Sequence, residues 1–193
     1  FLVLVTSTDQ KGCHIAADRV CKNFRAANRR KKIDVYYACR PALAVAGVSL
    51  RKNMGKKVVL TGNYSASEAA ALCRPDLIAA YPITPQSSVV EYLAGMVHNG
   101  KLDSNLVQVE SEHSACSVVQ GAIAGGGRVF TATSAQGLAL MFEPYTRMST
   151  LRFPMVMALA TREMTSPETV WSGQQDAMCV RESGWIQCFC DSN

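Results

Sequence analysis

Long apolar runs are missing from this chain: no stretch of 18 or more apolar residues occurs, so no segment reads as a membrane-spanning helix. Paired cysteine motifs are missing too. The eight cysteines stand at 13, 21, 39, 73, 116, 179, 188 and 190, and none forms a C-x-x-C pair. Cys188 and Cys190 have no partner cluster, so the pattern offers neither a zinc site nor an iron–sulfur ligand set. Cys73 and Cys116 lie in apolar helical patterns and read as small core residues, and free thiols of this kind suit a reducing cytoplasm. The apolar start Phe1-Leu2-Val3-Leu4-Val5 is short and lacks a basic leader, which does not fit a signal peptide. Repeats and low-complexity tracts are absent. What remains is 193 residues, 48% hydrophobic and 18% charged, enough for one domain with a sizeable core.

Acidic residues are scarce in one region only. Segment 22–57 carries Lys22, Arg25, Arg29, Arg30, Lys31, Lys32, Arg40, Arg51, Lys52, Lys56 and Lys57 against the single acid Asp34, and from Val58 onward acids outnumber bases. The basic run Arg29–Lys32 has no aromatic within it and the segment has no recognisable nucleic-acid fold, so a solvated or disordered face is the favoured reading and no nucleic-acid partner is expected. A basic arm that binds DNA in a salt-dependent way is the competing one. Weak periodicity allows a strand over 1–7, a helix over 13–27 and a strand over 33–39. Met54 then opens a different texture, Met54-Gly55-Lys56-Lys57-Val58-Val59-Leu60, which looks like a native start and first strand. Residues 1–53 therefore read as upstream material, a basic extension not native to the unit that follows. A family-specific extension is the alternative. Residues 54–193 read as a domain that stops before its last elements.

From Val58 the chain alternates. The patterning predicts strands over 58–61, 76–80, 106–109, 128–131, 154–160 and 185–189. It predicts helices over 66–73 (capped by Ser65 or Ser67), 86–99 (closed by Gly100), 111–124, 137–150 (interrupted by Pro144) and 176–183. The stretch 154–160 is apolar throughout, as a strand covered on both faces must be. Strands alternating with helices imply an α/β fold, a doubly wound parallel sheet.

In such a sheet the strand-to-helix junctions share one edge, where ligands bind. The junctions here bring Thr84, the group Glu110-Ser111-Glu112-His113, the loop Thr133-Ser134-Ala135-Gln136-Gly137, and Thr161-Arg162-Glu163. Small hydroxyls, a carboxylate cluster and an arginine on one face are what a polar ligand site needs. Around Thr84 runs Tyr81-Pro82-Ile83-Thr84-Pro85-Gln86-Ser87, where two prolines predict a stiff, extended backbone at a strand exit. By itself this stretch is better explained as a strand exit that caps a helix.

Five motifs stand here in one order: Val59-Leu60-Thr61-Gly62-Asn63; Ala79 through Ser87; Val107-Gln108-Val109-Glu110-Ser111-Glu112-His113-Ser114-Ala115; Phe130-Thr131-Ala132-Thr133-Ser134-Ala135-Gln136-Gly137-Leu138; and Arg181-Glu182-Ser183-Gly184-Trp185-Ile186-Gln187. Over 54–193 the chain resembles the alpha subunit of 2-oxoacid:ferredoxin oxidoreductases, the pyruvate:ferredoxin oxidoreductase family, in the domain that binds the pyrimidine ring of thiamine diphosphate. The resemblance implies a cytoplasmic enzyme of anaerobic metabolism that decarboxylates a 2-oxoacid oxidatively to an acyl-CoA, with electrons passing to ferredoxin.

It also implies roles. Glu112 would hydrogen-bond the pyrimidine ring nitrogen, a contact the cofactor needs for activation of its thiazolium carbon. Thr84 and Arg162 would face the substrate carboxylate, the arginine as a bidentate partner. Pro82, Ser134, Gln136 and Gly137 would pack near the cofactor, with Gly137 permitting close approach. His113 would have a minor role. Asp176 falls in a loop that carries a Gly-Asp-His-like sequence in the family and Ser172-Gly173-Gln174 here, which leaves the particular 2-oxoacid open. No Gly-Asp-Gly and Asn motif for the diphosphate and Mg2+ is found in this sequence. The resemblance puts these on a beta subunit, and iron–sulfur clusters on other partners, with gamma and ferredoxin-like delta subunits completing the complex. The competing readings are the pyrimidine domain of another thiamine diphosphate enzyme and a non-catalytic interaction subunit with the same fold.

Overall fold

The computed structural model describes residues 59–164 and 173–190. The extension 1–53 and its expected elements lie outside the described residues. Strands β1 (Leu77–Ala80), β2 (Asn105–Gln108), β3 (Val129–Thr133) and β4 (Val156–Leu159) form one sheet in the order β2-β1-β3-β4. Every pairing is parallel. Around it lie helices α1 (Gly62–Leu72), α2 (Ser87–His98), α3 (Glu112–Ala124), α4 (Ala135–Leu140), α5 (Phe142–Thr150) and α6 (Gln175–Cys179).

The alternation of side chains along the strands divides the interior into two cores. Ile78, Phe130, Ala132 and Ala158 point to one face, where Ala70 of α1 and Val89 and Leu93 of α2 cover them. Ala79, Val129, Met157 and Leu159 point to the other, beneath Ala115, Cys116, Val119 and Ile123 of α3 and Leu138, Tyr145 and Met148 from α4 and α5. Helices on both faces explain why β3 and the end of β4 are buried throughout. The expected doubly wound parallel sheet is the observed fold.

The order β2-β1-β3-β4 sets the site. After β1 the chain moves to one side of the sheet, and after β3 it moves to the other. The carboxyl ends of β1 and β3 therefore flank a topological switch point. The ladder opens there. β1 pairs with β2 as far as Ala80↔Gln108, and β3 with β4 as far as Thr133↔Leu159, but β1 and β3 pair only at Leu77↔Val129 and Ile78↔Phe130. One residue further on, the Thr131 hydroxyl donates to the Ala79 carbonyl at 2.6 Å and takes over from the backbone ladder.

Several local expectations change. The first strand expected over 58–61 is not one: Val59 and Leu60 are irregular, and Thr61 is the N-cap of a helix that starts four residues earlier than expected. Thr61 accepts from the Tyr64 N–H, while Ser67 instead turns inward and donates to Asn63 and Val89 carbonyls. Residues 84–86 form a turn with a cis Thr84–Pro85 bond, where an extended exit was expected. The helix expected over 137–150 begins at Ala135 and breaks at Met141; Pro144 sits in the first turn of α5, where its missing N–H costs nothing. Segment 185–189 has only a bridge at Gln187, because Trp185 stacks on Tyr145 at 4.5 Å and Gln187 donates to the Ala177 carbonyl. Cys116 is a core residue as expected, its thiol pushed up to about 12 by burial, but Cys73 is the half-buried C-cap of α1.

Candidate functional site

The Ser111 side chain accepts from the Ser114 N–H and starts α3, which makes Glu112 the first helical residue. Its side chain is buried, 6% exposed, in the first turn, where the helix dipole favours negative charge. What lies against it is backbone. A Cβ built on Gly137 would stand 2.6 Å from Glu112 Oε1 and 2.8 Å from its Cγ, and would overlap Thr133 Oγ1. Glycine at 137 thus lets α4 close onto the carboxylate.

The carboxylate cluster expected at the β2 exit is divided. Glu110 is exposed and accepts from the Ser114 hydroxyl at 2.9 Å, a bond that holds its carboxyl below the usual glutamate range. His113 is also on the surface, with Nε2 3.8 Å from Glu143 Oε2. Only Glu112 turns inward.

Around the switch point sit polar atoms with no hydrogen-bond partner among the described residues: both amide atoms of Gln86, Thr133 Oγ1 and Ser134 Oγ. All three residues are fully buried. Gln86 comes from the turn after β1, and Thr133 and Ser134 come from the end of β3. Buried donors and acceptors without partners are costly, and several at the two sides of the switch point suit a polar ligand. Thr84 and Pro82 are exposed on the β1 side of the same edge.

The family model described as pyruvate flavodoxin/ferredoxin oxidoreductase, thiamine diphosphate-binding, matches residues 68–193. The chain belongs to this family. It is 49% identical over 149 residues to the alpha subunit of NADH-dependent phenylglyoxylate dehydrogenase from Aromatoleum evansii, and this covers 77% of the chain and 35% of the relative. It is 51% identical over 135 residues to pyruvate synthase subunit PorA of Methanocaldococcus jannaschii, and 47% over 137 to ketoisovalerate oxidoreductase subunit VorA of Pyrococcus horikoshii. These cover 70% and 71% of the chain, and again 35% of each relative. The chain spans about a third of the length of the curated relatives it matches. Among solved structures, a 2-oxoglutarate:ferredoxin oxidoreductase from Magnetococcus marinus shares the fold, with a TM-score of 0.53 and 24% identity over 83% of this chain and 26% of that one.

The family is described as thiamine diphosphate-binding, and the chain brings polar and close-approach groups to the switch point that fit a polar cofactor. Glu112 is the buried acid, Gly137 the close-approach backbone, and the orphaned Gln86, Thr133 and Ser134 groups stand at the ends of β1 and β3. Among the described residues no group of three or more His, Cys, Asp or Glu side chains could hold a metal ion, and no helix is long and apolar enough to cross a membrane.

Asp176 and Asn63 have structural roles that the sequence reading missed. Asp176 is 1% exposed, and its Oδ2 accepts from the Ala135 N–H at 2.9 Å and the Arg162 N–H at 3.1 Å, while Oδ1 accepts from Ala177 N–H at 2.8 Å. It ties the exits of β3 and β4 to the start of α6. Ala135 sits at φ +37°, strained for a residue with a Cβ, and this bond holds it there. Asn63 Nδ2 donates to the Pro85 carbonyl at 2.8 Å and to Ser88 Oγ at 2.7 Å, buttressing the turn that carries Thr84. Its signal was faint: a poor helix former in the first turn of an alanine-rich helix.

Proposed function

We propose that the chain forms the pyrimidine-side wall of a thiamine diphosphate site in a 2-oxoacid oxidoreductase, which converts a 2-oxoacid and coenzyme A to an acyl-CoA and carbon dioxide. The observation that carries this reading is the buried Glu112 carboxylate, closed over by Gly137 at the switch point of the sheet. When bound, thiamine diphosphate supplies the nucleophilic carbon and the electron sink for decarboxylation. Glu112 accepts the proton-bearing edge of the pyrimidine and fixes its protonation state. Pro82, Ser134, Gln136 and Gly137 shape the wall around the ring. Thr84 and Arg162 take the substrate carboxylate, with the guanidinium as the charged partner. A beta subunit completes the site with the diphosphate and Mg2+. Gamma and ferredoxin-like delta subunits carry the iron–sulfur route to ferredoxin, in a cytoplasmic complex.

A second reading concerns the electron acceptor. The name of the phenylglyoxylate relative specifies NADH dependence. Reduction of NAD by the assembled complex without ferredoxin would favour that route over ferredoxin.

The experiment that tests the site is Glu112→Gln in the assembled complex, followed by exchange of the cofactor C2 proton with deuterated solvent. Exchange is expected to be abolished with thiamine diphosphate still bound. Exchange at the unmodified rate would remove Glu112 from its role.

A further inference from the structure

We propose that Arg162 is held at both ends by a clamp, Asp176 on its backbone and Gln136 on its guanidinium, and that this clamp sets how firmly the site takes a carboxylate substrate. The inference rests on the assignment of Arg162 to the substrate made above. It assigns to Gln136 a positioning task for its side chain in addition to its place in the cofactor loop.

At the backbone end, Arg162 N–H donates to Asp176 Oδ2, the same oxygen that holds Ala135. At the guanidinium end, Arg162 Nη2 donates to Gln136 Oε1 at 2.6 Å. The amide of Gln136 is itself oriented, because its Nε2 donates to the Met164 carbonyl. A flipped amide would lose that bond and aim donors at the cation. Met164 is anchored in turn, its N–H donating to Gln175 Oε1 at 2.8 Å. Gln136 of α4 holds the guanidinium and Asp176 of α6 holds the backbone N–H, so the arginine, in the loop after β4, is tied to two helices.

The clamp leaves a buried donor without an acceptor. Arg162 Nε is buried and has no hydrogen-bond partner among the described residues. A desolvated guanidinium N–H without an acceptor is a cost that a carboxylate oxygen removes. Gln136 is neutral, so it orients the cation without cancelling its charge. A carboxylate side chain in that place would compete with the substrate.

The test uses the assembled complex with pyruvate, 2-oxoisovalerate and phenylglyoxylate as probe substrates, taking whichever is turned over. Gln136 is exposed, so Gln136→Leu leaves the core intact. KM for the oxoacid is expected to rise about tenfold, what the loss of one hydrogen bond to a charged group amounts to, with a smaller change in kcat. In an Arg162→Lys background the same substitution is expected to add no further rise in KM. Gln136→Glu, which keeps an acceptor for Arg162 but adds charge, is expected to raise KM more than leucine does. An unchanged KM in Gln136→Leu, or a rise that simply adds to that of Arg162→Lys, would overturn the clamp. Arg162→Lys without effect on KM would overturn the substrate assignment and the clamp together, whereas an effective Arg162→Lys beside an inert Gln136→Leu would overturn the clamp alone.

Discussion

Glu112 and Gly137 come from different elements, the first residue of α3 and the third of α4, and the space for a side chain at 137 is taken by the carboxylate of 112. The contact brings together the helices that follow β2 and β3, strands that are not neighbours in the sheet. A glycine here serves the site by lacking a Cβ.

Gly137→Ala is therefore expected to be felt at Glu112. The added methyl meets a Cγ and the short Thr133 side chain, neither of which can swing away cheaply. Overpacking of this kind costs about 1–3 kcal/mol. Thermal unfolding of the chain should shift down accordingly, and thiamine diphosphate affinity of the assembled complex should fall. Wild-type values for both would mean that the carboxylate can leave its place.

Asn63→Ala removes both bonds that brace the Pro85–Ser88 turn. The Pro85 carbonyl and the Ser88 hydroxyl are part-buried, so the stability loss is expected near 1–3 kcal/mol. The turn carries Thr84, and the oxoacid KM should rise with it. If stability falls while KM stays at the wild-type value, Asn63 braces the fold without placing Thr84.

The alternation of apolar strands and helical stretches was enough to give the sheet class and the identities of four strands, because burial on both faces leaves a run such as Pro154 to Ala160 no polar position. Helix starts were less legible. Thr61 and Ser65 are equally good caps in composition, and only the packing of Ser67 against Val89 decides between them. The site was legible as a set of junctions, since parallel topology places every strand exit on one edge. Its interior was not. Glu110 and Glu112 are the same residue type two positions apart, and the choice between them depends on which side of a helix start faces α4. Asp176 was visible only as the end of a loop and the start of a predicted helix, because its three N–H partners come from positions 135, 162 and 177, and no local pattern links those.

Asp176 should also show in the pH dependence of stability. Burial pushes its carboxyl above the ordinary aspartate value, and the N–H groups of Ala135, Arg162 and Ala177 pull back against that rise. Between the ordinary and the raised value the folded chain holds a proton that the unfolded chain has released. The contribution of this group is therefore full below the ordinary value and is lost as pH rises through the raised one. Asp176→Asn cannot titrate and turns a donor toward one of the three N–H groups, so it should be less stable than wild type throughout. The gap between the two should narrow as pH rises through that window. Denaturant midpoints of both chains across the acid range check this; two parallel curves would show that the carboxyl does not titrate as described.

Thr131→Val tests whether the opening between β1 and β3 is held at a set width. The two side chains have nearly the same shape, but valine lacks the hydroxyl that donates to the Ala79 carbonyl beyond the last backbone pair, Ile78↔Phe130. Thr131 is fully buried, so water cannot simply take its place, and the loss is expected near 1–3 kcal/mol. Because the bond lies at the switch point, where the buried Gln86 and Ser134 groups lack partners, thiamine diphosphate affinity of the assembled complex should weaken as well. Thr131→Ser keeps the hydroxyl and gives up only a methyl group. It should retain the cofactor affinity while losing some stability to the small void. Equal losses of affinity in the valine and serine variants would attribute the effect to packing and remove the hydrogen bond from the account.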